Sequence, residues 1–236
     1  MITPSRQRGF EYLDDPTLAP VVAEHSLRDI ALANRLFGGT KAVLAEMRSV
    51  FDELHTEKLD RFSLLDVGTG LGDIPNAIQR EAKSQSLSVN VTGIEISESM
   101  ARHARKRTPH IVAADARELP FASNSVDVIT CSQVLHHLSD DKANELLLEC
   151  SRVARRRVII ADLRRSWLAM GLLWAVSYPL GFHPVSRHDG VTSIRRGFTK
   201  GELANVIRAS GNNHVKTSDR LGWRVTAAWT PGRIPL

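Results

Sequence analysis

The residues most able to do chemistry stand together in "DVGTGLGD", Asp66 to Asp73, where Gly68, Gly70 and Gly72 alternate with Thr69 and Leu71 between two carboxylates. An apolar run, "FSLLDV", leads into the stretch and helical spacing follows it, so the glycines occupy a strand-to-helix turn. Without side chains the backbone can turn sharply there and come close to a ligand. The next apolar run, "VNVTGIEI", ends near Glu95, whose carboxylate can accept hydrogen bonds from ribose hydroxyls. A dinucleotide wants G-x-G-x-x-G, because its pyrophosphate lies on the helix N-terminus. In this chain the third glycine comes one position early, at Gly72, and Asp73 stands where the last glycine would be. Asp66 and Asp73 would repel a pyrophosphate and attract a cation. S-adenosylmethionine has a ribose, a sulfonium and an ammonium but no phosphate, and the loop favours it over NAD.

With these residues the chain resembles the class I S-adenosylmethionine-dependent methyltransferases. Its motifs are similar to those of the small-molecule branch that includes ubiquinone/menaquinone-type and natural-product enzymes. The specific motifs cover about Phe62 to Leu163, and the C-terminal part is similar only in the order of its elements. The resemblance implies that Asp66, Gly68, Thr69, Gly70, Gly72 and Asp73 line the methionine end, that Glu95 binds the ribose and that Ile96 flanks the adenine. In "AADARELPF", Asp115 would bond the adenine amino group and Ala116 would offer its backbone. In "VDVITCSQVLHHL", Ser132 and Gln133 would lie by the methionine moiety, with His136 and His137 near the acceptor. The implied cofactor is S-adenosylmethionine, leaving as S-adenosylhomocysteine, with no metal. Asp127 is expected to be structural. Cys131 lacks the Pro-Cys pair of cytosine-5 methyltransferases and is expected to be a small buried residue.

Transfer from a sulfonium is an in-line displacement for which a protein supplies proximity, alignment and a dry cavity. A phenol, enol or carboxylic acid needs a base to expose its lone pair, and histidine suits neutral pH. His136, His137 and His188 are the candidates. Neighbouring residues on a helix face different ways, so at most one of His136 and His137 points squarely into a pocket. The stretch "HPVSRHDGVTSIRRG" reads as a polar loop over the C-terminal edge of the sheet, where ligands bind in open α/β folds. Within it His188 and Asp189 suit a base and its orienting carboxylate, and Arg195 or Arg196 suits an acidic acceptor. An ordinary surface crossover is the plainer alternative. Trp167 opens the longest apolar stretch, Trp167 to Phe182, which would roof an acceptor pocket or else form a core helix or dimer face.

The elements that must position these groups alternate along the chain. Residues up to about 56 read as two helices, the second with Thr40 as N-cap and with Val43, Met47, Val50, Phe51 and Leu54 on one face. Strands are predicted at 62–67, 89–96, 110–115, 125–132 and 157–163, with helices at 71–83, 97–106 and 140–153 between them. A last helix at "FTKGELANVIRAS" carries a Thr199–Glu202 capping box, and two strand candidates, "HVKTSD" and "WRVTAAW", follow as a hairpin. Strands alternating with helices predict an α/β fold with a parallel sheet covered on both faces. The resemblance makes it a Rossmann-like seven-stranded sheet with an antiparallel last strand. Residues 1–58 would form a helical cap over the acceptor site, 59–236 the cofactor-binding domain, and 164–198 a lid or substrate insertion.

Composition narrows the function. The chain has 236 residues, 42% of them hydrophobic, enough for a full core. Two cysteines without metal spacing and an N-terminus without an apolar h-region point to a cytoplasmic setting. The apolar stretch is shorter than a membrane span and contains Pro179, so it excludes a transmembrane helix while allowing peripheral membrane contact. A net charge of +5, with basic clusters at Arg102–Arg107 and Arg152–Arg157, permits contact with nucleic acid but is also met by solvated helix ends. No Asn-Pro-Pro-Tyr-like tetrad and no RNA-binding module accompany it. The expected partner is therefore a small, largely apolar (phenolic, quinol or polyketide-like) acceptor, with methylation at oxygen favoured and methylation at carbon a close second, in a monomer or homodimer. An RNA or protein methyltransferase and a non-catalytic cofactor-binding regulator are the alternatives.

Overall fold

The computed structural model describes residues 3–232 apart from Arg8, Pro16, Ser97, Lys106, Arg107 and Pro109. Two helices, α1 (Pro20–Leu36) and α2 (Gly39–Thr56), precede β1 (Arg61–Val67), α3 (Asp73–Ser84), β2 (Ser88–Glu95), α4 (Glu98–Ala104), β3 (Ile111–Ala113) and β4 (Val126–Ser132). Then come α5 (Asp140–Val153), β5 (Ala154–Leu163), α6 (Trp167–Ser177), α7 (Pro184–Arg196), α8 (Lys200–Ala209), β6 (Lys216–Arg220) and β7 (Arg224–Trp229). The sheet runs β3-β2-β1-β4-β5-β7-β6. All pairs are parallel except those of β7, which lies antiparallel between β5 and β6. This is the predicted Rossmann-like architecture, with the hairpin at one edge and the antiparallel strand one place in from it.

Alternation along the central strands supplies two cores. Leu65, Ile129 and Ile160 face α5 and α8, packing with Leu146, Leu147, Leu203 and Ile207. Their neighbours Leu64, Val128 and Ile159 face the other way, onto Val50, Phe51 and Leu54 of α2 and onto Ile74 and Ile78 of α3. The predicted apolar face of α2 is thus buried as expected. Its start differs: Gly38, in the left-handed region at φ 79°, is the N-cap, and no side chain caps it. A Cβ at Gly38 would strike the Leu221 carbonyl oxygen, so only glycine lets the α1–α2 turn sit against the hairpin. The predicted helix 97–106 begins and ends on residues outside the described set, and Lys106 and Arg107 of the first basic cluster lie there too.

The polar loop expected at 183–197 is the helix α7. Pro184 stands at its first turn and the His183 side chain accepts from the Val185 amide. Its buried residues are Asp189, Ile194 and Arg196, so two of the three are charged and no apolar stripe marks the helix in the sequence. The capping box Thr199–Glu202 is present. The second basic cluster is taken up in ion pairs, with Arg155 still half exposed: Arg152 meets Glu149, Arg155 and Arg156 meet Asp127, and Arg157 meets Glu53. Asp127 also accepts from the Ser63 amide and hydroxyl, tying β4 to β1.

Candidate active site

The glycine turn leaves β1 at the carboxyl edge of the sheet. Gly68, Gly70 and Gly72 all have positive φ, 68°, 54° and 72°. A Cβ on Gly68 would collide with Val134, whereas one on Gly70 would meet only Leu27 Cδ2, at 3.9 Å, so Gly70 faces open space. The Gly70 amide donates to Glu95 Oε1 across the β1–β2 edge. Glu95 is buried, which raises its carboxyl, and its second oxygen stays available to a hydroxyl. Beside it Ile96 is 74% exposed, an apolar surface at the end of β2. Asp115 stands beyond β3, where both of its oxygens accept from Arg117, which lowers its carboxyl. An adenine amine would have to share that carboxylate with Arg117. Ala116, next in the chain, packs half-buried against the core.

Asp66 stands next to last in β1, beneath the turn. It is buried, and both oxygens accept hydroxyl protons, Oδ1 from Thr130 at 2.6 Å and Oδ2 from Thr69 at 2.8 Å. Its contacts therefore shape the turn, and Thr69 serves it through this bond. Burial, reinforced by the charges of Asp73 and Glu95, pushes the Asp66 carboxyl up to about 7. Asp73 accepts from Asn34 Nδ2 at 3.0 Å, Asn34 Oδ1 accepts from Gln133 at 2.6 Å, and Gln133 Oε1 accepts from Arg224 at 3.0 Å. This chain links α1, the turn, the end of β4 beyond Ser132, and β7. Gln133 takes a left-handed φ of 57° to join it. Burial lowers the Arg224 guanidinium to about 10, with Asp162 and Asp73 opposing the shift.

Three carboxylates, Asp66, Asp73 and Glu95, thus surround a turn with an open face at Gly70. The cofactor fits this surface: Glu95 and Ile96 suit an adenosine, and the excess negative charge suits the sulfonium and ammonium. A pyrophosphate does not fit.

Past Gln133 a turn of 3₁₀ helix, Leu135–His137, carries the two adjacent histidines. Their rings lie against each other but their Nδ1 atoms take different carboxylates, Asp162 and Asp14. His136 is buried and its Nδ1 donates to Asp162 Oδ1 at 2.6 Å; its Nε2 is buried with no hydrogen-bond partner among the described residues. Asp162 also accepts from the His136 and Leu163 amides. Burial alone would push the Asp162 carboxyl up, but the His136 ring beside it and the Leu163 amide hold it below its ordinary value. Because the carboxylate can only accept, Nδ1 carries the proton and a neutral His136 has its lone pair at Nε2. That is the arrangement of an oriented general base.

His137 stacks on His136 with centroids 4.2 Å apart and turns its Nδ1 to Asp14 Oδ1 at 3.0 Å. Arg196 Nη1 lies 2.9 Å from Glu11 Oε1, 3.0 Å from Asp14 Oδ2 and 3.1 Å from His137 Nδ1. Glu11, His136 and His137 bring ligating atoms within 4.8 Å of one another, a grouping that in other settings holds a metal. Here the Arg196 guanidinium already supplies the cation between the carboxylates. The Asp14 carboxyl is held down to about 2 by His137 and Arg196 against its burial.

The remaining expected acceptor residues are engaged to different degrees. Arg196 is committed to Glu11, Asp14 and the Gly9 carbonyl, whereas Arg195 donates one hydrogen bond to Gln7 and keeps its Nε without a partner among the described residues. His188 does meet Asp189, at 2.9 Å, but Asp189 also accepts the amides of Tyr12 and Leu13 and so anchors the N-terminal segment to α7. Half-exposed His188 lies edge-on to Tyr12. Trp167 is exposed and lines a groove of about 760 Å³ with Arg164, Leu168 and Lys200, which includes none of the glycine-turn residues or the paired histidines. Cys131 is buried and its thiol is raised well above the ordinary value, which removes it as a nucleophile. Asp162, Glu11, Asp14, Asn34 and Arg224 were not singled out by sequence. Only Asp162, an acid near the end of the apolar run "RVIIADL", leaves a visible signal there.

This sheet order, the glycine turn and the acid ending β2 are the features that the resemblance to class I S-adenosylmethionine-dependent methyltransferases predicts. Residues 65–161 match the family described as "Methyltransferase domain". Over 101 residues the chain is 32% identical to the ubiquinone/menaquinone biosynthesis C-methyltransferase of Rickettsia bellii, covering 39% of this chain and 40% of that one. With the protein of the same description from Burkholderia vietnamiensis it shares 33% over 115 residues, 45% of each chain. The chain thus spans under half the length of these curated relatives. Its fold is similar to that of a SAM-dependent methyltransferase from Aquifex aeolicus, at 16% identity, with a TM-score of 0.51 over 77% of this chain and 89% of that one. It is also similar to Synechocystis magnesium protoporphyrin IX methyltransferase with bound SAM, at 14% identity, with a TM-score of 0.53 over 94% and 88%. Among the described residues no helix is long and apolar enough to cross a membrane.

Proposed function

We propose that the protein transfers a methyl group from S-adenosylmethionine to a small, largely apolar acceptor bearing an acidic hydroxyl, such as a phenol, quinol or polyketide-like enol. The observation that carries this reading is the Asp162–His136 pair, with its buried, unpartnered Nε2. Asp162 fixes the tautomer and orientation of His136, and Nε2 accepts the hydroxyl proton. Glu95 and Ile96 hold the adenosine, and the carboxylates at the turn favour the cationic end. When bound, the cofactor supplies an electrophilic methyl group. The protein's remaining contribution is proximity in a dry site, worth up to about 7–11 kcal/mol. Residues 1–58 act as a cap and 164–198 as a lid, joined by Arg196 and Asp189, so that water is kept from His136.

Oxygen is the favoured target, since deprotonation places charge there. Methylation at carbon is the second reading, supported by the C-methyltransferase names of the Rickettsia and Burkholderia relatives. A phenolate shares its charge with ring carbons, so the same base serves both.

Calorimetry with S-adenosylmethionine, S-adenosylhomocysteine and NADH tests the cofactor. The first two should bind and NADH should not, and Glu95→Ala should weaken the binding. Turnover on a panel of phenols and quinols, with product analysis, then separates oxygen from carbon. Turnover on RNA instead, or binding without turnover on any hydroxylated acceptor, would overturn the proposal in favour of a nucleic-acid enzyme or a regulator.

A further inference from the structure

Helix α6 contains no charged residue. Ala169 and Met170 are buried on one side of it, against Leu163 and Ile194. A helix in that position ordinarily turns polar residues outward. Here the outward side is Trp167, Leu168, Gly171, Leu172, Trp174 and Ala175, continued by Tyr178 just past the helix end. At 100° per residue these fall in one arc of about 160°. Trp167, Leu168, Trp174 and Tyr178 are between 52% and 57% exposed, so the apolar face is unpartnered and not a crossover that merely skims the core.

Its charge surroundings decide what covers it. No Asp or Glu occurs from residue 164 to residue 188. Arg164 and Lys200 line the same groove as Trp167 and Leu168 at the start of the helix. At the other end the Arg187 guanidinium lies 4.3 Å over the Tyr178 ring, which itself meets Trp174 edge-on. Among the described residues three acids come near: Asp219 3.4 Å from Arg164, Glu202 on Arg165 of the same groove, and Asp29 on the His183 amide, while no acid is paired with Arg187 or Lys200. An apolar face with tryptophan and tyrosine, and with cations at both ends, matches the layering of an anionic bilayer surface: rings at the headgroup level, ammonium and guanidinium groups on the phosphates. A second copy of the chain fits poorly, because an isologous pairing would bring these like charges together.

We propose that α6 and Tyr178 dock the protein on an anionic membrane surface, with Arg164, Arg187 and Lys200 on lipid phosphates. That the acceptor is then drawn from the lipid phase rests on the reading above of an apolar acceptor; the docking itself does not. The test therefore uses the full chain with neither cofactor nor acceptor, in sedimentation with vesicles of phosphatidylcholine alone or mixed with phosphatidylglycerol. Binding to the mixed vesicles should be at least roughly tenfold tighter, weaken with salt, and blue-shift the tryptophan emission. Trp174→Glu should abolish it. Arg187→Ala and Lys200→Ala should each weaken it about fivefold. Trp174 is exposed, so its replacement should leave the circular dichroism spectrum unchanged; Leu168→Glu is the second variant should it not. Equal binding to both vesicle types, no binding to either, or a dimer that Trp174→Glu dissolves without any vesicle association would overturn the proposal. Methylation of a soluble phenol that persists in those cases would leave the activity standing and sink the docking alone.

Discussion

The cofactor half of the site, residues 61–132, and the acceptor half, formed by residues 3–36 and 164–198, both place polar groups at the carboxyl edge of one sheet. They do it by opposite means. In the first, the contacts run within the turn or between paired strands: Thr69 bonds Asp66 three residues away, the Gly70 amide reaches Glu95 over 25 residues, and Thr130 of the neighbouring strand bonds Asp66 over 64. In the second, Asp189 holds the Tyr12 amide 177 residues away, and Arg196 holds Asp14 at a separation of 182. The cofactor half relies on backbone shape, which particular residue types at fixed spacing produce. The acceptor half relies on charged side chains meeting across the chain, which no local pattern encodes. A family can therefore keep the first while rebuilding the second for a new acceptor.

The sharpest way to break this contrast is at the junction of the halves. His136→Ala should lower kcat by about 10²–10⁴-fold, the usual worth of a positioned base, while leaving S-adenosylmethionine affinity within a few-fold. Asp162→Asn should lower kcat less and shift the pH profile, since the base survives but its orientation does not. If His136→Ala instead abolishes cofactor binding with little effect on bound-state turnover, the histidine belongs to the cofactor half and the division is drawn in the wrong place.

Next in size is the strap. Arg196→Ala leaves the buried Glu11 without its cation, and removing one partner of such a pair costs about 3–5 kcal/mol. For a chain of this size each kcal/mol lowers Tm by roughly 2–4 °C. Limited proteolysis should then cut within residues 3–15 first, and KM for the acceptor should rise more than Kd for the cofactor. A variant that melts as one unit, with both constants rising together, would show that the halves are not separable.

What could be read in advance follows the same line. The fold was legible because period-2 and period-3.6 patterns arise from nearest neighbours, and the turn because glycine at positive φ leaves its mark on the sequence. The helix α7 was not. Gly190, Val191 and Thr192 are weak helix formers, and the helix buries Asp189 under the Tyr12 and Leu13 amides and Arg196 in ion pairs with Glu11 and Asp14. Asn34, on α1, bridges Asp73 and Gln133, residues 39 and 99 positions away. Trp167 looked like a roof, and it is exposed because Ala169 and Met170, two and three residues on, face the core instead.

The smallest effect sharpens the electrostatics of the cofactor half. Burial, with Asp73 and Glu95 adding to it, raises the Asp66 carboxyl in the folded protein from 3.8 to about 7. A raised acid favours the fold while protonated. That contribution is complete below the unfolded value and is lost as pH rises through the folded one. A cation at the turn favours the charged form, so binding expels the proton wherever the free protein still holds it. S-adenosylmethionine should thus bind more tightly at pH 8 than at pH 6, by tenfold at most per pH unit, with the gain levelling off above the folded value. S-adenosylhomocysteine, which keeps the ammonium but lacks the sulfonium, should show a shallower slope, and Asp66→Asn should flatten both. Calorimetry in two buffers of different ionisation enthalpy counts the proton directly. A flat profile with no proton released would mean that Thr69 and Thr130 screen Asp66 from the turn completely. Its role would then be to hold backbone shape alone, and the preference for a cation would fall to Asp73 and Glu95.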